Sequence, residues 1–199
     1  LFRSARRRDL GGERGDLDDR PAAAAPVHTS YLWHMHQPIY WPDRSTWYGV
    51  GYETANETMA LGHSQSDLFS IFNKDDRVHD YQDYPRSAIQ SILDQPDAGA
   101  QVSFAGSLIQ NLNSLGNAGW NGGRYGGNWW QSYRDAMAWT TSGGRRRLDP
   151  VIVSMHHPIN PLCDETVFRR MLQVQKATMI GAWGPSGAAS KYIVRTTPM

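Results

Sequence analysis

Three short strand-like runs, each followed by a stretch with helical spacing of apolar residues, constrain this chain more than any other feature. The first run covers 27–37, where Val27, Tyr31, Leu32 and Trp33 favour extended structure. The second is Gln101–Ala105, ending at Gly106-Ser107. The third spans Asp149–Met155, with Val151, Ile152 and Val153 as a continuous apolar run of the kind buried in a parallel sheet. Between them, Pro85 opens a helix predicted over 85–95, with Ala88, Ile89, Ile92 and Leu93 on one stripe. A second helix is predicted over 107–115 with Leu108, Leu112 and Leu115 inward. A third, capped by Asn128, is predicted over 129–139 with the stripe Trp130, Tyr133 and Met137. Asp164 caps a fourth, to about 180, which Gly181 ends. Strand–helix alternation of this kind argues for an α/β fold with a parallel sheet covered by helices.

The flanks and connections read differently. Residues 3–20 are charged and almost free of apolar side chains, and Pro21–Pro26 reads as a linker. The segment 1–26 is therefore expected to stand outside the fold. It lacks the apolar core of about 7–15 residues that marks a signal peptide, so a cytoplasmic location is the expectation. Residues 39–66 are predicted as a long aromatic and polar loop, 67–78 as one or two helical turns, and 116–127 as a glycine-rich loop. The net charge of +1 points neither to nucleic acid nor to an anionic membrane surface, and no apolar run reaches the length of a membrane span. The single Cys163 excludes an internal disulfide. Eight Trp and nine Tyr beside nineteen Gly suit either an aromatic core with tight turns or a surface that stacks sugar rings.

Each strand is predicted to end in residues capable of chemistry: His34, His36 and Gln37 on the first, Ser107 on the second, His156 and His157 on the third. In βα folds the site lies at this C-terminal edge. His34 and His36 are two apart, so their rings share one face of the strand. Such a pair can hold a metal, donate to a substrate hydroxyl, or pack as part of the structure. Pro38, without an N–H, ends the strand. His156 and His157 are adjacent, so only one is expected to enter a site. Glu53, Glu57, Asp67, Asp164 and Glu165 are the acids available for glycosidic chemistry, which needs a paired acid and nucleophile or base. None sits at a strand end as His36 does, and Asp164 is accounted for by capping. Arg145-Arg146-Arg147 reads as a solvated turn. No phosphate-binding glycine loop, His-Glu-x-x-His, Cys-x-x-Cys or Gly-x-Ser-x-Gly is present.

At His36-Gln37-Pro38, Ser103–Leu112 and Val151–Leu162, in that order, the chain resembles glycoside hydrolase family 57, the α-glucan-active enzymes. His157-Pro158 and Pro161-Leu162 are similar to that family's third-strand pattern. The resemblance covers roughly 27–185. It implies the first three βα units of an incomplete TIM-like (β/α)7 barrel and a retaining glycosidase with no cofactor or required metal. It also implies a carbohydrate partner and a first-strand histidine that binds sugar beside the nucleophile. His36 is then a substrate-binding residue, His157 a further one, and His34, Gln37 and Trp41 complete the candidate set. The family's Glu nucleophile stands on the fourth strand and its Asp acid on a later one. No Asp or Glu follows Glu165 here, so no catalytic residue is assigned. Residues 27–186 are expected to be the N-terminal part of the barrel and 187–199 an aberrant or truncated tail, leaving this fragment itself inactive. Two other readings remain open. One is a metal-dependent hydrolase or deacetylase using His34, His36 and His156 or His157. The other is a non-catalytic carbohydrate-binding module using Trp33, Trp41, Trp47 and Trp120.

Overall fold

A computed structural model describes residues 29–40, 52–63, 67–152, 162–187 and 191–192. Four parallel strands lie side by side in chain order: β1 (Leu32–Met35), β2 (Ala100–Phe104), β3 (Leu148–Ile152) and the two-residue β4 (Lys191–Tyr192). The expected α/β architecture is therefore present as an open parallel sheet. Within the tail set apart by sequence, Lys191–Tyr192 pairs with Val151 and Ile152.

Register gives the sheet two unlike faces. Trp33 pairs with Val102, Met35 with Phe104 and Val102 with Pro150, so these side chains share a face. Met35, Val102, Phe104, Leu148 and Ile152 are the strand residues of the main apolar cluster, and all have that parity. The other parity holds His34, Gln101, Ser103, Asp149 and Val151. Val151 is fully buried yet stands outside the cluster.

Between β1 and β2 run α1 (Ala55–Ala60), α2 (Leu68–Asn73), α3 (Asp75–Gln82) and α4 (Tyr84–Gln90). The loop expected over 39–66 thus contains a helix. Its signal is Thr54-x-x-Glu57: the Glu57 carboxylate accepts from the Thr54 backbone N–H at 2.7 Å. The 67–78 patch divides in two at Lys74, whose extended backbone separates α2 from α3. Then α5 (Gly106–Asn117), the single turn α6 (Trp120–Gly123) and α7 (Gln131–Ala138) lead to β3. Asn128 does not cap α7 with its side chain, and that helix starts at Gln131. After β3, α8 (Glu165–Trp183) is capped by Asp164, which accepts from Thr166 N at 2.8 Å. It runs past Gly181 to Gly184, whose φ of 67° supplies the left-handed residue that stops it. No helix among the described residues is long and apolar enough to cross a membrane.

The core is aromatic. Phe104 meets Tyr133 at 5.0 Å, Trp183 at 5.1 Å and Trp129 at 6.0 Å between ring centres, with edge-on approaches to the first two. Much of the Trp and Tyr content is spent here: Tyr125, Tyr133, Trp129 and Trp183 are all buried. Trp129 and Tyr133 direct their polar tips to Asn113 Oδ1 and the Asp80 carbonyl. Gln175 on α8 donates to the Phe104 carbonyl at 2.6 Å and fixes that helix against the end of β2.

Arg147 departs from the solvated turn expected of its run. It is buried, and its guanidinium donates to the carbonyls of Thr140, Ile92, Leu93, Gln95 and Ala98. Those carbonyls belong to the turn after α4 and the start of the hairpin before β3, where no ladder satisfies them. The Arg147 carbonyl accepts from Ala100 N at 2.7 Å, and a Cβ at Gly99 would lie 2.7 Å from the same oxygen. Arg147→Met is expected to cost about 2–4 kcal/mol by removing a buried guanidinium that ties five carbonyls of two segments together, whereas Arg145→Met, at an exposed position, should cost less than about 0.5 kcal/mol. Urea denaturation of both variants checks this; equal, small losses would show that water replaces the guanidinium at no cost.

Candidate functional site

β1 ends at Met35, three residues short of Pro38, and the backbone that follows is taken up by the first turns of α5. The Ser107 hydroxyl donates to the Gln37 carbonyl at 2.6 Å. Asn111 Nδ2 donates to the Pro38 carbonyl at 3.1 Å, while its Oδ1 accepts from Ala55 N at 2.9 Å. Asn111 is buried, so one side chain joins the end of β1, α1 and α5.

The Gln37 amide lies between two tyrosines. Its Nε2 donates to Tyr81 Oη at 2.8 Å, and Tyr40 Oη donates to its Oε1. This uses one of two N–H groups and one of two acceptor positions, so Gln37 is held in place with capacity left over. Burial pushes the hydroxyls of Tyr40 and Tyr81 up from their ordinary range, reinforced for Tyr40 by Tyr81 and opposed for Tyr81 by the Gln37 hydrogen bond. Both therefore remain neutral phenols at physiological pH.

His34 and His36 share a face, as the strand period requires. Their rings lie parallel, 5° apart in plane and 6.2 Å between centres. His34 Nδ1 lies 2.7 Å from Ser103 Oγ, its register partner on β2, and Ser103 is fully buried. The structure thus brings together three predicted residues, His34, His36 and Gln37, with Ser107 beside them. It adds Ser103, Asn111, Tyr40 and Tyr81. His156, His157, Trp41 and Trp47 lie outside the described residues.

Four of the five candidate acids are engaged elsewhere, and Asp67 stands before α2 without a side-chain cap bond. Glu57 caps α1, Asp164 caps α8, and Glu165 pairs with Arg169 at 2.7 Å. Glu53, largely buried, pairs with His63 at 3.0 Å. No cluster of three His, Cys, Asp or Glu among the described residues could hold a metal ion. A cleft of about 520 Å³ lies at the opposite, N-terminal end of the strands, between Gly99, Gln101, Arg145 and Asp149. The C-terminal end, where βα folds place ligands, carries imidazole, amide and hydroxyl groups.

Two of the added residues follow different logics. Asn111 had a signal: it lies on the stripe of Leu108, Leu112 and Leu115, where a polar residue needs a buried partner. Ser103 had none, because its role comes only from pairing opposite His34.

No protein-family description matches the sequence. No solved structure matches either. An alpha-amylase from Niallia circulans is 26% identical over 192 residues, covering 80% of this chain and 15% of that protein. The two are distant homologues. The chain spans only that 15% of its relative's length.

Buried tyrosines give the site a pH dependence. Tyr40, Tyr81, Tyr125 and Tyr133 all have folded pKa values raised above 10.0, chiefly by burial. The native state therefore keeps these protons longer than the unfolded chain. Their stabilising contribution is complete below about pH 10 and falls away as the pH rises. Urea midpoints measured from about pH 8 to pH 11 should drop steeply above pH 10, and less so in Tyr40→Phe/Tyr81→Phe. A flat profile would contradict the burial of these hydroxyls.

Proposed function

We propose that residues 27–186 are the N-terminal βα part of a family 57-like retaining glycoside hydrolase acting on α-glucans or related oligosaccharides. His36 forms one wall of a sugar subsite, with His34 and Gln37 beside it. The parallel, face-sharing imidazoles of His34 and His36 at the C-terminal end of β1 carry this reading. An imidazole pair beside a fixed amide can offer directional hydrogen bonds to sugar hydroxyls. His157 and Trp41 join the same subsite in this reading.

Two further observations support it. Distant homology to an alpha-amylase supports the choice of an α-glucan. The sheet has its apolar face under the helices and a face with His34, Gln101, Ser103 and Asp149 opposite. That division suits an incomplete barrel, where the second face lines the interior. The site as read uses no cofactor.

Glycosidic hydrolysis needs a carboxylic acid and a second carboxylate about 5–9.5 Å apart across the bond. Glu57, Asp164 and Glu165 are taken up by capping and pairing, and Glu53 by His63. The purified 199-residue chain should therefore bind maltoheptaose but release no reducing sugar from starch. His36→Ala should weaken binding by about 5- to 10-fold, the worth of one or two hydrogen bonds. Calorimetric titration and a reducing-end assay measure both. Unchanged affinity in His36→Ala, or starch hydrolysis by the intact chain, would overturn the proposal.

A further inference from the structure

Away from the strand ends, one pair of aromatic side chains is not used up by the core. Phe69 on α2 is 53% exposed and meets Trp120 of α6 at 5.3 Å, the rings tilted 59°. Trp120 packs on the core with one side. Beside them a shallow cleft of about 380 Å³ is lined by Phe69, Asn73, Lys74 and Arg77.

The backbone under Trp120 is unusual. Gly119, Asn121, Gly122 and Gly123 all have positive φ, and Asn121 is the one non-glycine among the described residues that does. No atom lies within 4 Å of a Cβ built on Gly119, Gly122 or Gly123. These glycines therefore serve the backbone path and not close packing. Asn121 accepts a left-handed conformation and places its amide on Asn73 Oδ1 at 2.6 Å. The path thus presents Trp120 with an amide pair at its side.

Two of the three cations near this surface are in ion pairs, and the third, Arg77, lines the cleft. Lys74 pairs with Asp76 at 2.8 Å and Arg124 with Asp75. An exposed aromatic ring packed on a second one, with carboxamides beside them, fits a polyol with an apolar face, which is a sugar ring.

A chain of aromatic contacts through the core, by way of the buried Tyr125 and Phe72, links Trp120 to the strand-end site. Trp120 lies 6.2 Å from Tyr125, Tyr125 6.2 Å from Phe72, and Phe72 6.0 Å from Tyr40, which holds Gln37. Tyr125 further donates to the Phe72 carbonyl at 2.8 Å.

We infer that Phe69 and Trp120, with the Asn73–Asn121 amide pair, form a second carbohydrate-binding surface that stacks glucose units of an α-glucan, distinct from the His36 subsite. The choice of an α-glucan rests on the function proposed above; the choice of a sugar rests on this surface. It takes ligand by stacking and so should be insensitive to salt.

Affinity electrophoresis of the intact chain in amylopectin gels, with calorimetric titration of maltoheptaose and cellohexaose, tests it. Phe69→Ala and Trp120→Ala should each weaken amylopectin and maltoheptaose binding by about 3- to 10-fold. Asn121→Gly keeps the left-handed backbone, removes the amide and should weaken binding about 2- to 3-fold. Near-UV circular dichroism confirms folding. If Trp120→Ala does not fold, the exposed positions 69 and 121 decide. Binding lost in His36→Ala but unchanged in Phe69→Ala and Asn121→Gly overturns the second surface and leaves the strand-end site standing. Binding lost at Phe69 and Asn121 but kept in His36→Ala upholds the surface and removes the strand-end subsite. A preference for cellohexaose upholds the surface and overturns the α-glucan reading. No retardation of the intact chain overturns the surface.

Discussion

Two backbone carbonyls leave the sheet at Gln37 and Pro38, and the capture of both by α5 is the contact on which the strand-end site depends. β1 ends at Met35, so these oxygens lie beyond the ladder. Ser107 and Asn111, one turn apart on α5, supply the donors. Asn111 also receives the N–H of Ala55 and so brings α1 to the same place. Without these bonds the chain after His36 would have buried polar groups and no defined exit direction. With them the histidine pair is presented beside the Gln37 amide at the C-terminal edge of the sheet.

The parallel register then divides the sheet's labour. Phe104, Val102, Met35, Leu148 and Ile152 face the helices and gather Trp129, Tyr133 and Trp183 around Phe104. His34 and Ser103 face the other way and hydrogen-bond across the β1–β2 seam. A parallel sheet buried on both faces by helices would show near-continuous apolar strands. The polar alternation in β1 and β2 departs from that pattern, although Ser103 and Val151 on this face are fully buried.

The sequence made the order of elements legible because strand and helix periods differ and the punctuation was strong. Asp164 before α8, Pro38 after β1 and the Leu stripe of α5 each act locally. Gly184 replaced Gly181 as the end of α8 because the stop depends on a left-handed backbone, which Gly181 does not adopt. α1 was missed although Thr54 and Glu57 stood at capping-box spacing, since aromatic and polar composition on either side outweighed one short signal. Arg147 was indistinguishable from Arg145 and Arg146, because its burial follows from carbonyls more than 40 residues away in the chain. For the site, the face shared by His34 and His36 followed from strand period alone. The roles of Ser103, Tyr40 and Tyr81 come from pairing and packing between distant segments, which no single stretch encodes.

The histidine side chains themselves offer the most direct measurement. Long-range proton–nitrogen spectra of the ¹⁵N-histidine-labelled chain, titrated with maltotriose, report each imidazole separately. The resonances lost in His34→Ala and His36→Ala identify the pair. Those resonances should move with the sugar, while those of His79, exposed on α3, stay fixed. A titration in which the chain binds sugar and both imidazoles remain at rest would contradict a sugar subsite at the end of β1.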